Sequence, residues 1–402
     1  MEKTYSVYIH IPFCISKCRY CDFFSVKCSS FCNNFNSVQP FVPDSYVKAL
    51  CNEISTLSGV CVNTVYVGGG TPSLLTPRQI TKIFEAINKA CVLTENAEIS
   101  FEMNPDDVTE ELLAALDLAG VNRISCGIQS INDEVLKRAE RRADSAANLR
   151  ALELFKRFWC SKGKKLSLDF ICALPLETEN TFLGALQTGV NSGASHISMY
   201  SLTIEEKTPF GQELENGVLD YDYDSADKMW LSARSFLEKN GFYQYEVSNF
   251  AKKGEECLHN LSYWNHKDYY GFGSGATGTI YNENASGVRY TITNDIKKYI
   301  EFWLNYNPSA KNNLFPRSVE EISKETSRFE FFMMGLRKLS GVSEEDYKVI
   351  FAEDFPPAAE RLFVQWKQKN LAEITSRDGA KTYSLNKDGI LFLNRFLEQL
   401  EL

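Results

Sequence analysis

Cys14-Ile-Ser-Lys-Cys18-Arg-Tyr-Cys21 follows a short apolar run, Tyr5–Ile11, that reads as a first strand. Three thiols spaced C-x3-C-x2-C in one tight loop point at one small object. Structural zinc takes four protein ligands, so this loop falls one short unless Cys28 or Cys32 completes it. A [4Fe–4S] cluster normally takes four thiolates. Three would leave one iron without a protein ligand, an open place for chemistry like the free position of a catalytic zinc. The readings at this point are such a cluster, a completed zinc site, or three ordinary thiols in a loop.

The rest of the composition narrows the class. The 402-residue chain predicts two or three domains and a large core. Its 44% hydrophobic and 24% charged residues are those of a globular protein, and a net charge of −9 gives no general basic character for nucleic acid or anionic lipid. No apolar run approaches the ~18 residues that span a bilayer. The opening Met1-Glu-Lys-Thr has no secretory pattern, so a cytoplasmic location is expected. Of the twelve cysteines, several sit inside apolar runs (Cys91, Cys126, Cys172) and read as small core hydrophobes rather than disulfide partners.

From Ser6 to Leu202 strand and helix patterns alternate. The expected strands are Ser6–Ile11, Thr64–Val67, Glu98–Phe101, Arg123–Ile128, Leu166–Ile171 and His196–Leu202. The helices between them are Ser45–Leu57, Pro77–Ala90, Thr109–Leu118, Ala146–Trp159 and Thr181–Val190, with cap signals at Thr76-Pro77 and at Thr109. Repeated strand–helix units imply parallel strands with right-handed crossovers. Six units suit a partial, open barrel, with its site at the C-terminal ends of the strands. The segment from Val26 to Pro43 reads as a long loop carrying Cys28 and Cys32, which are incidental thiols or a second metal pair. Three domains are expected: 1–205 as the partial barrel, 206–304 as a segment completing it, and 305–402 as a C-terminal α+β unit. In the middle one, Asp224–Asn240 reads as a helix, Phe242–Ser248 as a strand, and His259–Gly278 as a polar, aromatic stretch. In the last, helices near Ser327–Leu339, Ser343–Phe351 and Pro356–Lys369 precede a hairpin and a final helix, a winged-helix-like order. Its expected role is a lid or docking module.

Several polar residues fall at the expected strand ends. Gly68-Gly-Gly-Thr71-Pro72 follows the second strand, where glycines let backbone N–H groups approach a ligand. As a bare triplet it would be only a turn. Glu102 ends the third strand and suits a ribose diol, or is a solvated loop acid. Gln129 ends the fourth and can hydrogen-bond a ligand. Arg141 offers a fork for a carboxylate, or lies on the surface. Asp169, inside an apolar strand, is costly there unless paired.

The cysteine spacing resembles the signature of radical S-adenosylmethionine (SAM) enzymes. Beyond it the chain resembles their HemN-like family, which contains an oxygen-independent coproporphyrinogen III dehydrogenase and a heme chaperone. The shared words are Tyr8-Ile-His-Ile-Pro-Phe-Cys14, Gly68-Gly-Gly-Thr-Pro72, Arg123-Ile-Ser, Gly127-Ile-Gln-Ser130 and Thr203-Ile-Glu205. The likeness runs from Tyr8 to at least Gly278 and is weaker beyond. It implies a partial (β/α)6 TIM-like radical SAM barrel with a [4Fe–4S] cluster on Cys14, Cys18 and Cys21. SAM would chelate the fourth iron, with contacts from Tyr8, Tyr20, Gly69, Gly70, Thr71, Glu102, Gln129, Arg141 and Asp169.

Within that family two words favour the chaperone. The dehydrogenase has a further cysteine two residues after the third ligand, and here that place is Phe23. His259-Asn-Leu-Ser-Tyr-Trp264 matches the H-N-x-x-Y-W word typical of the chaperone members. That likeness implies heme as ligand, through His259, Asn260, Tyr263 and Trp264, although His259 and Asn260 would serve equally to hold a turn. The expected partner is a heme-acceptor protein such as a respiratory enzyme, with membrane association only through that acceptor. The competing expectations are the dehydrogenase, a radical decarboxylase of propionate side chains, and a non-catalytic metal protein. The chain departs from the family's words at Ala173-Leu-Pro175, Ala143 and Gly275-Ala-Thr277.

Overall fold

A computed structural model describes residues 3–31, 41–309, 315–377 and 379–402. Cys32 lies outside them. Most of the chain is organised on one twelve-stranded open sheet. Strand β1 (Tyr5–Ile11) leads into the cysteine loop, whose first residues form β2 (Phe13–Cys14) paired parallel with β3 (Val26–Lys27). Then come β4 (Val60–Gly69), β5 (Cys91–Met103), β6 (Arg123–Gln129), β7 (Lys165–Cys172) and β8 (His196–Ser201). Strands β1, β4, β5, β6, β7 and β8 pair in that order, all parallel, and are the six expected from the sequence. They are buried on both faces, as an α/β sheet with helices outside requires, which explains their continuous apolar runs.

The helices start where their cap residues place them. Thr76 and Gln79 form a reciprocal capping box ahead of Pro77–Ala90, with Pro77 at the first turn. The Thr109 hydroxyl accepts from the Leu112 N–H at the start of Glu110–Leu118.

The sheet is wider than the six strands expected. On the β1 side, β9 (Tyr243–Gln244) and β10 (Asn249–Ala251) are absent: they lie at the opposite edge, antiparallel to β8. Of the expected strand over Phe242–Ser248 only Tyr243–Gln244 is a strand, and the next begins just beyond it at Asn249. Gln244 breaks the run by donating its side-chain amide to the carbonyls of Glu246 (3.1 Å) and Val247 (3.2 Å). Beside β1 lies a seventh parallel strand, β11 (Tyr269–Phe272), then an antiparallel extension of β12 (Thr277–Tyr281), β13 (Gly287–Ile292) and β14 (Arg317–Ile322). The large sheet thus continues past residue 305, the expected start of the C-terminal unit.

That unit has a hydrophobic core of its own, centred on Phe332, Phe363, Tyr383 and Phe396. Helices Lys324–Gly335, Glu344–Phe351 and Pro357–Gln368 pack on a three-stranded sheet, in which β17 (Ala380–Leu385) lies between β15 (Val342–Ser343) and β16 (Ala372–Arg377). The order helix–strand–helix–helix–hairpin is winged-helix-like. No helix among the described residues is long and apolar enough to cross a membrane.

One buried ion pair ties the parallel strands to the segment after them. Arg123, at the start of β6, gives its Nε to Glu98 Oε2 (2.9 Å) and its Nη2 to the carbonyls of Glu255 and Glu256 (2.9 Å each). Glu98 Oε1 accepts the His259 N–H at 3.0 Å. Both side chains are fully buried, so removing one partner strands the other in low dielectric. Arg123→Met is expected to cost roughly 3–5 kcal/mol, read as a lowered urea midpoint, and a shift under 1 kcal/mol would refute that role.

Candidate functional site

A cavity of about 540 Å³ opens at the C-terminal ends of β4, β5, β6, β7 and β8 beside the loop that follows β1, and all three loop cysteines line it. The β2–β3 pairing fixes Cys14. Cys18 and Cys21 share a turn closed by the Cys21 N–H on the Cys18 carbonyl (3.2 Å). Between them Arg19 anchors the loop: its N–H bonds the Ala139 carbonyl, and its guanidinium bonds Glu140 and Glu213 at 2.6 Å each. Two donors are aimed at the sulfurs, Thr71 Oγ1 at Cys14 (3.4 Å) and Arg141 Nη1 at Cys18 (3.5 Å).

Among the described residues no three His, Cys, Asp or Glu side chains are grouped tightly enough for a single metal ion. Cys28 does not line the cavity. It is buried in the apolar core in a short 3-10 turn, Cys28–Ser30.

The glycine triplet is more than a turn. A Cβ on Gly68 would lie 2.9 Å from the Glu102 carboxyl carbon, one on Gly69 2.7 Å from the His10 ring, and one on Gly70 2.8 Å from the Phe13 carbonyl and 3.0 Å from the Cys14 sulfur. Gly69 also sits at φ +115°, a conformation L side chains rarely adopt. Only a bare backbone fits between the cysteine loop and the third strand.

Two acids stand on the far wall. Glu102 accepts from the Tyr66 hydroxyl (2.8 Å) and the Gly69 N–H (3.1 Å). Burial, outweighing those bonds, pushes its carboxyl up to about 7. Asp169 takes the Ser125 hydroxyl on both oxygens (3.0 and 2.9 Å), and burial lifts it to about 6. Arg141 also bonds Asn104 Oδ1 (2.7 Å) and the Gly127 carbonyl (2.6 Å). Gln129 is held at φ +64° at the end of β6. Gln129 Oε1 and Arg141 Nε are buried with no partner in the protein. Orphaned polar atoms on two lining side chains mark where a polar ligand would complete the bonding. With three thiols, exposed glycine backbone and a carboxylate, the donor set fits an iron–sulfur cluster beside an amino-acid nucleoside.

Of the residues singled out in the sequence, Cys14, Cys18, Cys21, Tyr20, Gly69, Gly70, Thr71, Glu102, Gln129, Arg141 and Asp169 all line this cavity. Tyr8 does not. Its hydroxyl bonds His10 Nδ1 (2.9 Å) and its ring stacks on Tyr66, so it supports the wall from behind. Tyr66, Asn104 and Ser125 are wall residues that sequence reasoning passed over. Ser125 lay within the Arg123-Ile-Ser word, but nothing local marked Tyr66.

The His259 word folds as a helix, Leu258–Trp264, outside the cavity. His259 is fully buried, with Nδ1 on the Thr64 hydroxyl (2.8 Å), Nε2 on the Tyr263 hydroxyl (2.7 Å) and its ring stacked on Tyr66. Burial pushes its imidazole down to about 3, so it is neutral with both nitrogens engaged. The expected heme contact through His259 and Tyr263 is therefore not available in this arrangement. Trp264 is stacked under the Arg337 guanidinium, and Asn260, like it, does not line the cavity. All four histidines are buried and hydrogen-bonded.

Residues 8–188 match the family model of the radical SAM superfamily. The chain is 33% identical to the heme chaperone HemW of Bacillus subtilis (strain 168), over 92% of this chain and 91% of that protein. It is 31% identical to the heme chaperone HemW of Escherichia coli (strain K12), over 98% and 97%. Among solved structures it is similar to coproporphyrinogen III oxidase (HemN) from Escherichia coli, described as a radical SAM enzyme, with a TM-score of 0.76 at 19% identity over 99% of this chain and 90% of that one. That last likeness speaks for the fold, and the near full-length identity to the curated relatives speaks for the family: this chain belongs to the HemW family of the radical SAM superfamily.

Proposed function

We propose that the chain is a heme chaperone with a radical SAM core, which binds heme in the cytoplasm and passes it to an acceptor protein such as a respiratory enzyme. The observation that carries this reading over the dehydrogenase is Phe23. It lines the cavity mouth and is 70% exposed, at the position where the dehydrogenase pattern has a further cysteine. The relatives that match nearly the whole chain are curated as heme chaperones.

In this reading Cys14, Cys18 and Cys21 would hold the [4Fe–4S] cluster, and Thr71 and Arg141 donate to the Cys14 and Cys18 sulfurs, where they would favour added electron density. When bound, the cluster and SAM supply one-electron chemistry. The chain's own side chains bind and orient. The Gln129 amide oxygen and the Arg141 Nε–H take the methionyl end of SAM beside the glycine backbone, Glu102 takes the ribose hydroxyls, and Tyr20 and Asp169 close the remaining polar wall.

The ionisation of Glu102 sets a sign for pH. Ribose hydroxyls donate, so the ionised carboxylate is the binding form, and with a free-protein value of about 7 it loses its proton on binding. SAM affinity of the reconstituted protein is expected to rise roughly tenfold between about pH 6 and pH 8. Glu102→Gln should bind weakly and flatten that dependence in calorimetric titration. A pH-independent wild type would remove Glu102 from the ribose contact.

Heme added to the anaerobically reconstituted chain should give a retained Soret band, while coproporphyrinogen III with SAM and reductant should yield no vinyl product. Product formation would favour the dehydrogenase. His259→Ala should leave the Soret maximum in place and lower stability by on the order of 2–3 kcal/mol, because it strands two buried hydroxyls. A displaced Soret maximum would restore His259 as an iron ligand.

A further inference from the structure

A second cavity, about 420 Å³, lies on the outer flank of the sheet and shares no residue with the first. Its walls are aromatic, with Phe272, Tyr290 and Trp303 buried at the floor and Phe315 near the rim. Polar groups interrupt this surface, among them Glu53, Thr56, Ser58, Arg317 and the Trp303 indole, and three of them bear on what it can take. The indole N–H of Trp303, a residue 2% exposed, has no partner. Arg317 stands exposed at the rim, its guanidinium 4.8 Å from the Tyr290 ring centre and 5.0 Å from that of Phe315, with no carboxylate at ion-pair distance among the described residues. The third group, Glu53, is already engaged: its Oε2 accepts from the Tyr299 hydroxyl (2.7 Å) and the Gly273 N–H (2.8 Å). Burial keeps its carboxyl up at about 7, so near neutrality it opposes an incoming anion only in part.

Flat aromatic walls take a planar apolar body, an unpaired guanidinium takes a carboxylate, and a buried indole N–H takes an acceptor. A porphyrin edge has that combination: a flat conjugated ring with propionates at its margin. We propose that this cavity receives the carboxylate-bearing edge of the heme cargo, with a propionate on Arg317. The proposal rests on the heme-chaperone reading and adds where and how the cargo is held. It also accounts for four histidines that are all turned inward. A carrier that must release its cargo can hold the ring and propionates, which exchange readily, and leave the iron to the acceptor.

The test is a Soret titration of the full, reconstituted chain with heme, metal-free protoporphyrin IX and protoporphyrin IX dimethyl ester. Arg317→Met is the main variant; Arg317 is exposed and outside the cluster cavity, so SAM binding and the melting midpoint should be unchanged. Heme and protoporphyrin IX should bind the wild type alike. Both should weaken tenfold or more in Arg317→Met and less in Arg317→Lys, while the ester binds wild type and variants equally. If heme binds the wild type and Arg317→Met with the same Kd, this inference falls and the chaperone reading stands. If the wild type binds no heme, both fall.

Discussion

The cluster cavity depends on how near the end of β4 comes to the cysteine loop. Strands β1 and β4 are in unbroken register from Ser6 to Ile11, with His10 opposite Gly68 and Ile11 opposite Gly69. The strand end therefore cannot retreat to make room for a side chain. Within three residues it must pass the Glu102 carboxylate, the His10 imidazole and the backbone at Phe13. Glycine is the solution at each position, for a different neighbour each time. The bare backbone lets the strand end run beside a sulfur, with the Gly69 N–H on Glu102 and the Gly70 N–H on the Ile11 carbonyl. The same constraint sets the polar wall: Glu102 can lie flat against Gly68 because nothing projects from it.

Much of this was legible because it is local. A capping box needs only Thr76 and Gln79; an apolar run with period two or none needs only its own residues; three cysteines in eight residues cannot be far apart. What escaped was decided by which side chain captures which polar atom, near or far in the chain. Tyr66 becomes a wall residue because Glu102 comes to its hydroxyl across the sheet. Tyr8 leaves the wall because His10 captures its hydroxyl and turns it away. The run after Phe242 divides because one glutamine side chain competes for strand carbonyls. Whether His259 can ligate iron depends on Thr64, 195 residues away, which fills Nδ1. A motif word fixes which residues meet but says nothing about which lone pairs remain.

The buried acids share one physical character. Glu102, Asp169 and Glu53 are all raised, in each case first by burial. A carboxyl whose folded value lies above its unfolded one favours the native state while protonated. That advantage declines as pH climbs from about 4 through 7, so near neutrality each acid sits close to its own cost in stability. A ligand that donates hydrogen bonds reverses the cost, because it stabilises the ionised form that burial penalised. The cluster cavity places two such acids opposite orphaned atoms of Gln129 and Arg141, a wall whose satisfaction waits on a bound partner.

The extension beyond β1 makes the second cavity intelligible. An open six-stranded parallel sheet would leave β1 as an edge, with unpaired N–H and C=O groups next to the cysteine loop. Strand β11 covers that edge in parallel, and β12, β13 and β14 continue antiparallel from it. Gly271 and Gly278 let the crossing strands close up, with the Tyr290 hydroxyl bonded to the Gly271 N–H at 3.1 Å. Helix Ile296–Leu304 then packs against helix Asp44–Ile54, bringing Tyr299 to Glu53 and Trp303 to the floor. The strands that protect β1 are therefore the strands that bring Tyr290 and Arg317 together. Edge protection and the second cavity have one structural cause, whereas the cluster cavity is built from the loop that follows β1 and from the strands on its other side.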